Sequence, residues 1–106
     1  GTAEPILKAV FDLPDLSERQ RSRMLEIASN YRRKFRELSR EMVAVQREDT
    51  DSSDNRWRGR MKRRNDMRAL RFQRDELTSA TRRKIRAVLN DDQIQRIPPL
   101  REDEDD

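Results

Sequence analysis

Between Pro14 and Pro98 the chain runs for 83 residues without a proline, and that span contains a single glycine, Gly59. The two residues that interrupt helices are therefore all but missing from most of the molecule. Charged residues make up 43% of the chain and apolar ones only 32%. That ratio is too poor in apolar residues for a spherical core, and it fits either disorder or long helices that each bury one narrow stripe. The scarcity of proline and glycine favours helices. At 106 residues the prior is one domain, expected over residues 1–100, with an acidic, unstructured tail at 101–106.

The apolar spacing supplies the elements. Ile6, Leu7, Val10 and Phe11 predict a short amphipathic helix over residues 5–12, with Pro5 in its first turn and Pro14 beyond its end. Ser17 then reads as a helix cap and Gln20, three residues on, as its reciprocal partner, with Leu16 in the hydrophobic-staple position. The helix that follows is expected to reach about residue 48. Met24, Ala28, Tyr31, Phe35, Leu38, Met42 and Val45 form a seam in alternating steps of four and three, and Leu25 and Ile27 widen it at the start. At ~1.5 Å per residue this helix is on the order of 45 Å long. Residues 49–55, rich in Asp, Ser, Thr and Asn, read as a reversal. A second long helix is predicted from near Asp54 to about Leu89. Its stripe is Met67, Leu70, Leu77, Ile85 and Val88 with Ala80 beside it, thin between Trp57 and Arg68. A short last helix is expected to end at Pro98-Pro99. The fold class is thus all-α: a long antiparallel hairpin with short flanking helices.

The charge is uneven. The formal net charge is +4, but residues 101–106 carry five acids and one arginine, leaving the remainder at +8. Of the 25 basic residues, 21 are arginine, which suits bidentate recognition of carboxylate or phosphate and stacks on aromatic rings. Anionic partners are expected: nucleic acid, anionic lipid or acidic polypeptide.

Several function classes are disfavoured. The chain has no cysteine and no histidine, so thiol chemistry, the commonest general base and the commonest transition-metal ligands are missing. Its carboxylates are many, but none is set in an apolar run that would raise its pKa for acid–base work. No enzyme activity and no cofactor are expected. Asp49-x-Asp51-x-Ser53 hints at a calcium loop, but the glycine position is Asp54 and the closing glutamate position is Arg60. No apolar run approaches the ~20 residues of a membrane span, and the opening Gly-Thr reads as a trimmed start rather than a signal peptide.

The most specific pattern is a repeat. Leu16-Ser17-Glu18-Arg19-Gln20 and Leu89-Asn90-Asp91-Asp92-Gln93 share the order Leu, cap, two residues, Gln. In an antiparallel hairpin the two would meet at one end. Both can be no more than helix caps, but that leaves their pairing unexplained. With these motifs, and with the run-in Lys84-Ile85-Arg86-Ala87-Val88, the chain resembles the Spy/CpxP family of bacterial periplasmic proteins, defined by two LTxxQ motifs. The resemblance covers residues 7–97. Ser17 and Asn90 replace the two threonines, and each is still a good N-cap residue. It implies a curved, cradle-like homodimer in the periplasm, acting as an ATP-independent chaperone for unfolded or misfolded polypeptides or as a modulator of a membrane sensor kinase. Metal-sensing relatives are disfavoured by the missing histidine and cysteine.

The candidate surface is the cluster around Arg56-Trp57-Arg58-Gly59-Arg60-Met61-Lys62-Arg63-Arg64. At ~100° per residue Trp57, Met61 and Phe72 share a face that points away from the stripe of Met67, Leu70, Leu77 and Val88. Arg56, Arg60, Arg64 and Arg68 accompany it. The bland alternative is a solvated helix start; the functional ones are a dimer interface or a client surface. A nucleic-acid role is a further alternative, weakened by acids interleaved with the arginines along both helices.

Overall fold

The structure, a computed structural model, describes residues 2–47 and 56–102. Five helices follow in order: α1 Glu4–Phe11, α2 Glu18–Arg47, α3 Arg56–Val88, α4 Asp91–Gln95 and α5 Pro98–Glu102, with no strand among the described residues. The predicted reversal at residues 49–55, the rejected calcium loop and the start proposed at Asp54 lie outside the described residues, as do residues 103–106.

Helices α2 and α3 pack as an antiparallel hairpin. Gln20, near the start of α2, bonds the carbonyl of Val88 at the end of α3. Farther along, Arg74 Nη1 approaches Met42 Sδ at 3.9 Å. The molecule measures 60 × 27 × 16 Å, with a radius of gyration of 18.1 Å, against about 13 Å for a compact domain of this length.

The core is not spread evenly along the hairpin. One contiguous cluster holds Ala3, Ile6, Leu7, Val10 and Leu13 from the α1 region. It continues through Met24, Ile27, Ala28 and Tyr31 of α2, Ile85 of α3, and Leu89, Ile94, Ile97 and Leu100. Nine of these fourteen residues lie outside the two long helices. The short helices therefore build a head around one end of the hairpin, and the rest projects from it as a two-helix stalk. Among the described residues of the stalk only Met42 and Leu70 are buried apolar side chains, while Leu38, Val45 and Met67 are half-buried.

The head is fastened by polar contacts. Ala3 offers no side-chain cap to α1; instead its backbone N–H donates to the Tyr31 hydroxyl at 2.9 Å, which also satisfies a phenol that is only 2% exposed. The Arg32 guanidinium grips Glu4 with two bonds of 2.9 and 3.1 Å, tying α1 to α2. Arg96 grips Asp15 in the same bidentate way at 3.1 and 2.7 Å, tying the α4 end to the connection before α2.

These two pairs predict a pH response. The Arg32 hydrogen bond holds the Glu4 carboxyl below its ordinary pKa, and the Arg96 hydrogen bond does the same for Asp15. A carboxylate with a lowered folded pKa stabilises above its unfolded pKa, and loses that contribution as pH falls through the folded value. Stability should be flat from pH 8 to pH 5, since histidine and cysteine are absent, and should decline below about pH 4. Both pairs are roughly half exposed, so each contribution is small. Thermal melts across pH for the native chain and Glu4→Gln provide the check. The variant should melt slightly lower at pH 7 and converge with the native chain at pH 2.

Three expectations are corrected. Leu25 does not widen the seam: it is 57% exposed, while Ile27 beside it is buried. Pro98-Pro99 do not end the last helix. α4 stops at Gln95, and the two prolines open α5, where a missing N–H breaks no helical bond. Arg101 and Glu102, expected in an unstructured tail, complete α5, which Leu100 anchors with no exposed surface. Two residues absent from the predicted stripe, Thr78 and Thr81, are also buried. Thr81 Oγ1 donates back to the Leu77 carbonyl at 2.7 Å, whereas Thr78 Oγ1 has no hydrogen-bond partner.

Candidate functional site

Two places hold the residues singled out by the sequence. The first is in the head, where the repeated motifs meet. In the first motif Ser17 N–H donates to Gln20 Oε1 and Gln20 N–H donates to Ser17 Oγ, both at 3.0 Å. In the second, Asn90 N–H donates to Gln93 Oε1 at 3.0 Å and Gln93 N–H to Asn90 Oδ1 at 2.9 Å. Each is a reciprocal capping box. The boxes then bond each other. Gln20 Nε2 donates to Gln93 Oε1 at 2.8 Å, and Gln93 Nε2 donates to Gln20 Oε1 at 3.3 Å. Each amide also donates to a carbonyl two residues before the opposite cap: Gln20 to Val88 at 3.1 Å, Gln93 to Asp15 at 3.4 Å.

The arrangement has local two-fold character and explains why glutamine stands at both positions. Each side chain must accept from its own cap and donate twice across the interface, and the glutamine amide supplies one acceptor oxygen and two N–H donors at that reach. Gln93 is 1% exposed, so its demands cannot be met by solvent. Leu89 is buried and Leu16 half-buried beside the pair. The proximity of the two boxes was legible from the hairpin. The crossed bonds to Val88 and Asp15 were not, because no local pattern marks a carbonyl as an acceptor. Removing either cap by Ser17→Ala or Asn90→Ala should cost about 1 kcal/mol, read as a lowered unfolding midpoint in urea. A variant that unfolds normally yet loses partner binding would recast the motif as a contact surface.

The second place is the outward side of α3. Trp57 is 71%, Met61 39% and Phe72 64% exposed. Arg60, Arg64 and Arg68 are exposed around them. Arg56 opens α3, and its side chain lies outside the described set. The buried residues Leu70, Thr78, Thr81 and Ile85 define the side that faces α2. Trp57, Met61 and Phe72 point roughly 130° away from it around the helix axis. The structure thus gathers these three apolar side chains on one solvent-facing stripe, remote from the head. Arginines on both sides keep that stripe wet, and their long apolar stems add contact area for a partner.

Among the described residues no group of three or more His, Cys, Asp or Glu is placed to hold a metal ion, and no helix is long and apolar enough to cross a membrane. No protein-family model, curated protein or solved structure matches the chain.

Proposed function

We propose that this protein is an ATP-independent holdase of the Spy/CpxP kind, acting in the periplasm on unfolded or misfolded polypeptides. The observation that carries the reading is the solvent-facing stripe of Trp57, Met61 and Phe72 within a field of arginine. An unfolded chain offers apolar side chains and carboxylates together. Charge attracts it over a distance and the apolar stripe holds it by short-range contact. Methionine adapts to varied partners. Such holding needs no catalysis and no cofactor, and a few weak contacts let the client leave. The paired LTxxQ-like boxes support the family resemblance by joining both motifs at one end of the hairpin.

A sensor-kinase modulator would use the same surface for one folded partner, and a nucleic-acid binder would use its charge. The discriminating experiment is light scattering from a denatured client with this protein in several-fold excess and no nucleotide. The holdase reading predicts suppressed scattering that weakens partly as salt rises, because exposed charges are screened beyond ~10 Å at 0.1 M while apolar contact persists. Absence of suppression together with tight, salt-sensitive binding to DNA would overturn it.

A homodimer belongs to the same proposal. Leu25 and Val43, 57% and 45% exposed, lie about five turns apart on α2 and so in the same direction. They offer a second copy two apolar anchors, separate from those of α3, on a side of α2 that also carries Arg32 and Arg36. Sedimentation at micromolar concentration should give twice the 12.8 kDa chain mass; a strict monomer would contradict pairing while leaving the hairpin intact.

A further inference from the structure

We propose that the outward face of α3 also binds anionic lipid surfaces, lying flat on them with Trp57, Met61 and Phe72 in the headgroup layer. The inference stands on the layout of charge and apolar surface and is independent of the holdase reading. Residues 57–74 carry eight arginines and lysines against a single acid, Asp66. Beyond Phe72 the character changes: Asp75 and Glu76 follow, both exposed, and they bound the basic field. Within it Trp57 and Met61 stand one turn apart, and Phe72 follows on the same face ~16 Å farther along the helix, with Asn65 and Arg68 between them.

The shoulders of the stripe are basic on both sides. At ~100° per residue Arg64 and Arg71 fall on one flank, and Arg58 and Lys62 on the other. Arg68 lies on the centre line as well, so Trp57, Met61 and Phe72 stand as separate apolar anchors among long basic side chains that can reach headgroups, the combination by which an interfacial helix lies on an anionic surface. No other described residue covers this face. α2 packs on the opposite side of α3, and the short helices sit around the far end of the hairpin. A plane can therefore approach the whole stripe.

Charge decides between occupants. A second copy docked on the same face about a two-fold axis would set one eight-cation field against another. An oligonucleotide would neutralise the cations and can stack bases on Trp57 or Phe72, but it offers no apolar phase to take up all three side chains together. An anionic bilayer surface supplies both, phosphate above and acyl chain below.

Trp57 is the only tryptophan, so its emission reports contact directly. The probe is unilamellar vesicles of phosphatidylcholine with or without phosphatidylglycerol, added to the full chain. Vesicles containing phosphatidylglycerol should shift the Trp57 emission to the blue and carry the protein with them on sedimentation, whereas pure phosphatidylcholine should do neither. Arg58→Gln, Arg64→Gln and Arg71→Gln combined should weaken partitioning on the order of a hundredfold, at roughly fivefold per cation. Glutamine is a good helix former, and circular dichroism verifies that the triple variant is folded. No shift with either vesicle, or an equal shift with both, would overturn the proposal. A shift with a single-stranded oligonucleotide but not with anionic vesicles would overturn it in favour of nucleic acid. A shift with an unfolded polypeptide but not with vesicles would overturn it and leave the holdase standing.

Discussion

Replacing Gln93 by glutamate should lower the stability of this protein by about 3 kcal/mol or more, a far larger effect than its near-identical shape suggests. Gln93 is 1% exposed, and its Nε2 donates to Gln20 Oε1 and to the Asp15 carbonyl. A carboxylate there would turn two attractive contacts into oxygen facing oxygen and bury a charge without a cationic partner. The buried carboxyl would respond by raising its pKa. A raised folded pKa means that the variant's stability is greatest below the unfolded pKa and falls as pH rises through the folded one. Thermal melts should therefore show Gln93→Glu far below the native chain at pH 7.5 and closer to it near pH 5. Gln93→Ala loses the same bonds without burying a charge and should fall between them. A glutamate variant that melts with the native chain at pH 7.5 would show that the crossed amides contribute little.

Changing Trp57, Met61 and Phe72 together to alanine should do the opposite: leave the fold intact and remove the proposed holding of clients. All three side chains are exposed, Trp57 and Phe72 by well over half, and alanine is the best helix former. The unfolding midpoint should move by no more than the equivalent of ~0.5 kcal/mol per site, as is usual for surface substitutions. Suppression of client aggregation should fall at least several-fold, because the attraction that remains is electrostatic and is screened at moderate salt. Light scattering at 0.15 M salt, beside a urea titration of the same variant, separates the two effects. Retained suppression by the triple variant would remove this face from the proposed mechanism.

How far the sequence reveals this molecule depends on whether a feature is local. The two long helices are legible because proline is absent from them, glycine is confined to Gly59, and the apolar steps persist over many turns. Both capping boxes are legible because cap and glutamine sit three residues apart. The solvent-facing direction of Trp57, Met61 and Phe72 follows from helical angle alone. What escapes is whatever distant segments decide. Leu25 reads as a seam residue, but it is left more than half exposed. The weight of the core in the head is not apparent either, since Ile6, Leu7 and Val10 look like a minor flanking helix until Ile94, Ile97 and Leu100 close over the same cluster. The grip of Arg32 on Glu4 and of Arg96 on Asp15 joins residues 28 and 81 positions apart. Nothing in a chain with 25 basic and 21 acidic residues singles those pairs out. Pro98-Pro99 misleads for a different reason: proline stops a helix and also starts one, and only the placement of Leu100 in the core decides which.

The central claim is that the α3 face takes up unfolded polypeptide, and Trp57 permits that to be measured at the face itself. A client held permanently unfolded, such as a reduced and alkylated protein, is titrated against the native chain with excitation selective for Trp57 and a client that lacks tryptophan. The same protein in its folded form serves as the control. Emission should shift to the blue and rise saturably with the unfolded client, reversibly on dilution, and should not change with the folded one. An unchanged emission with the unfolded client, or the same change with both forms, would contradict that claim.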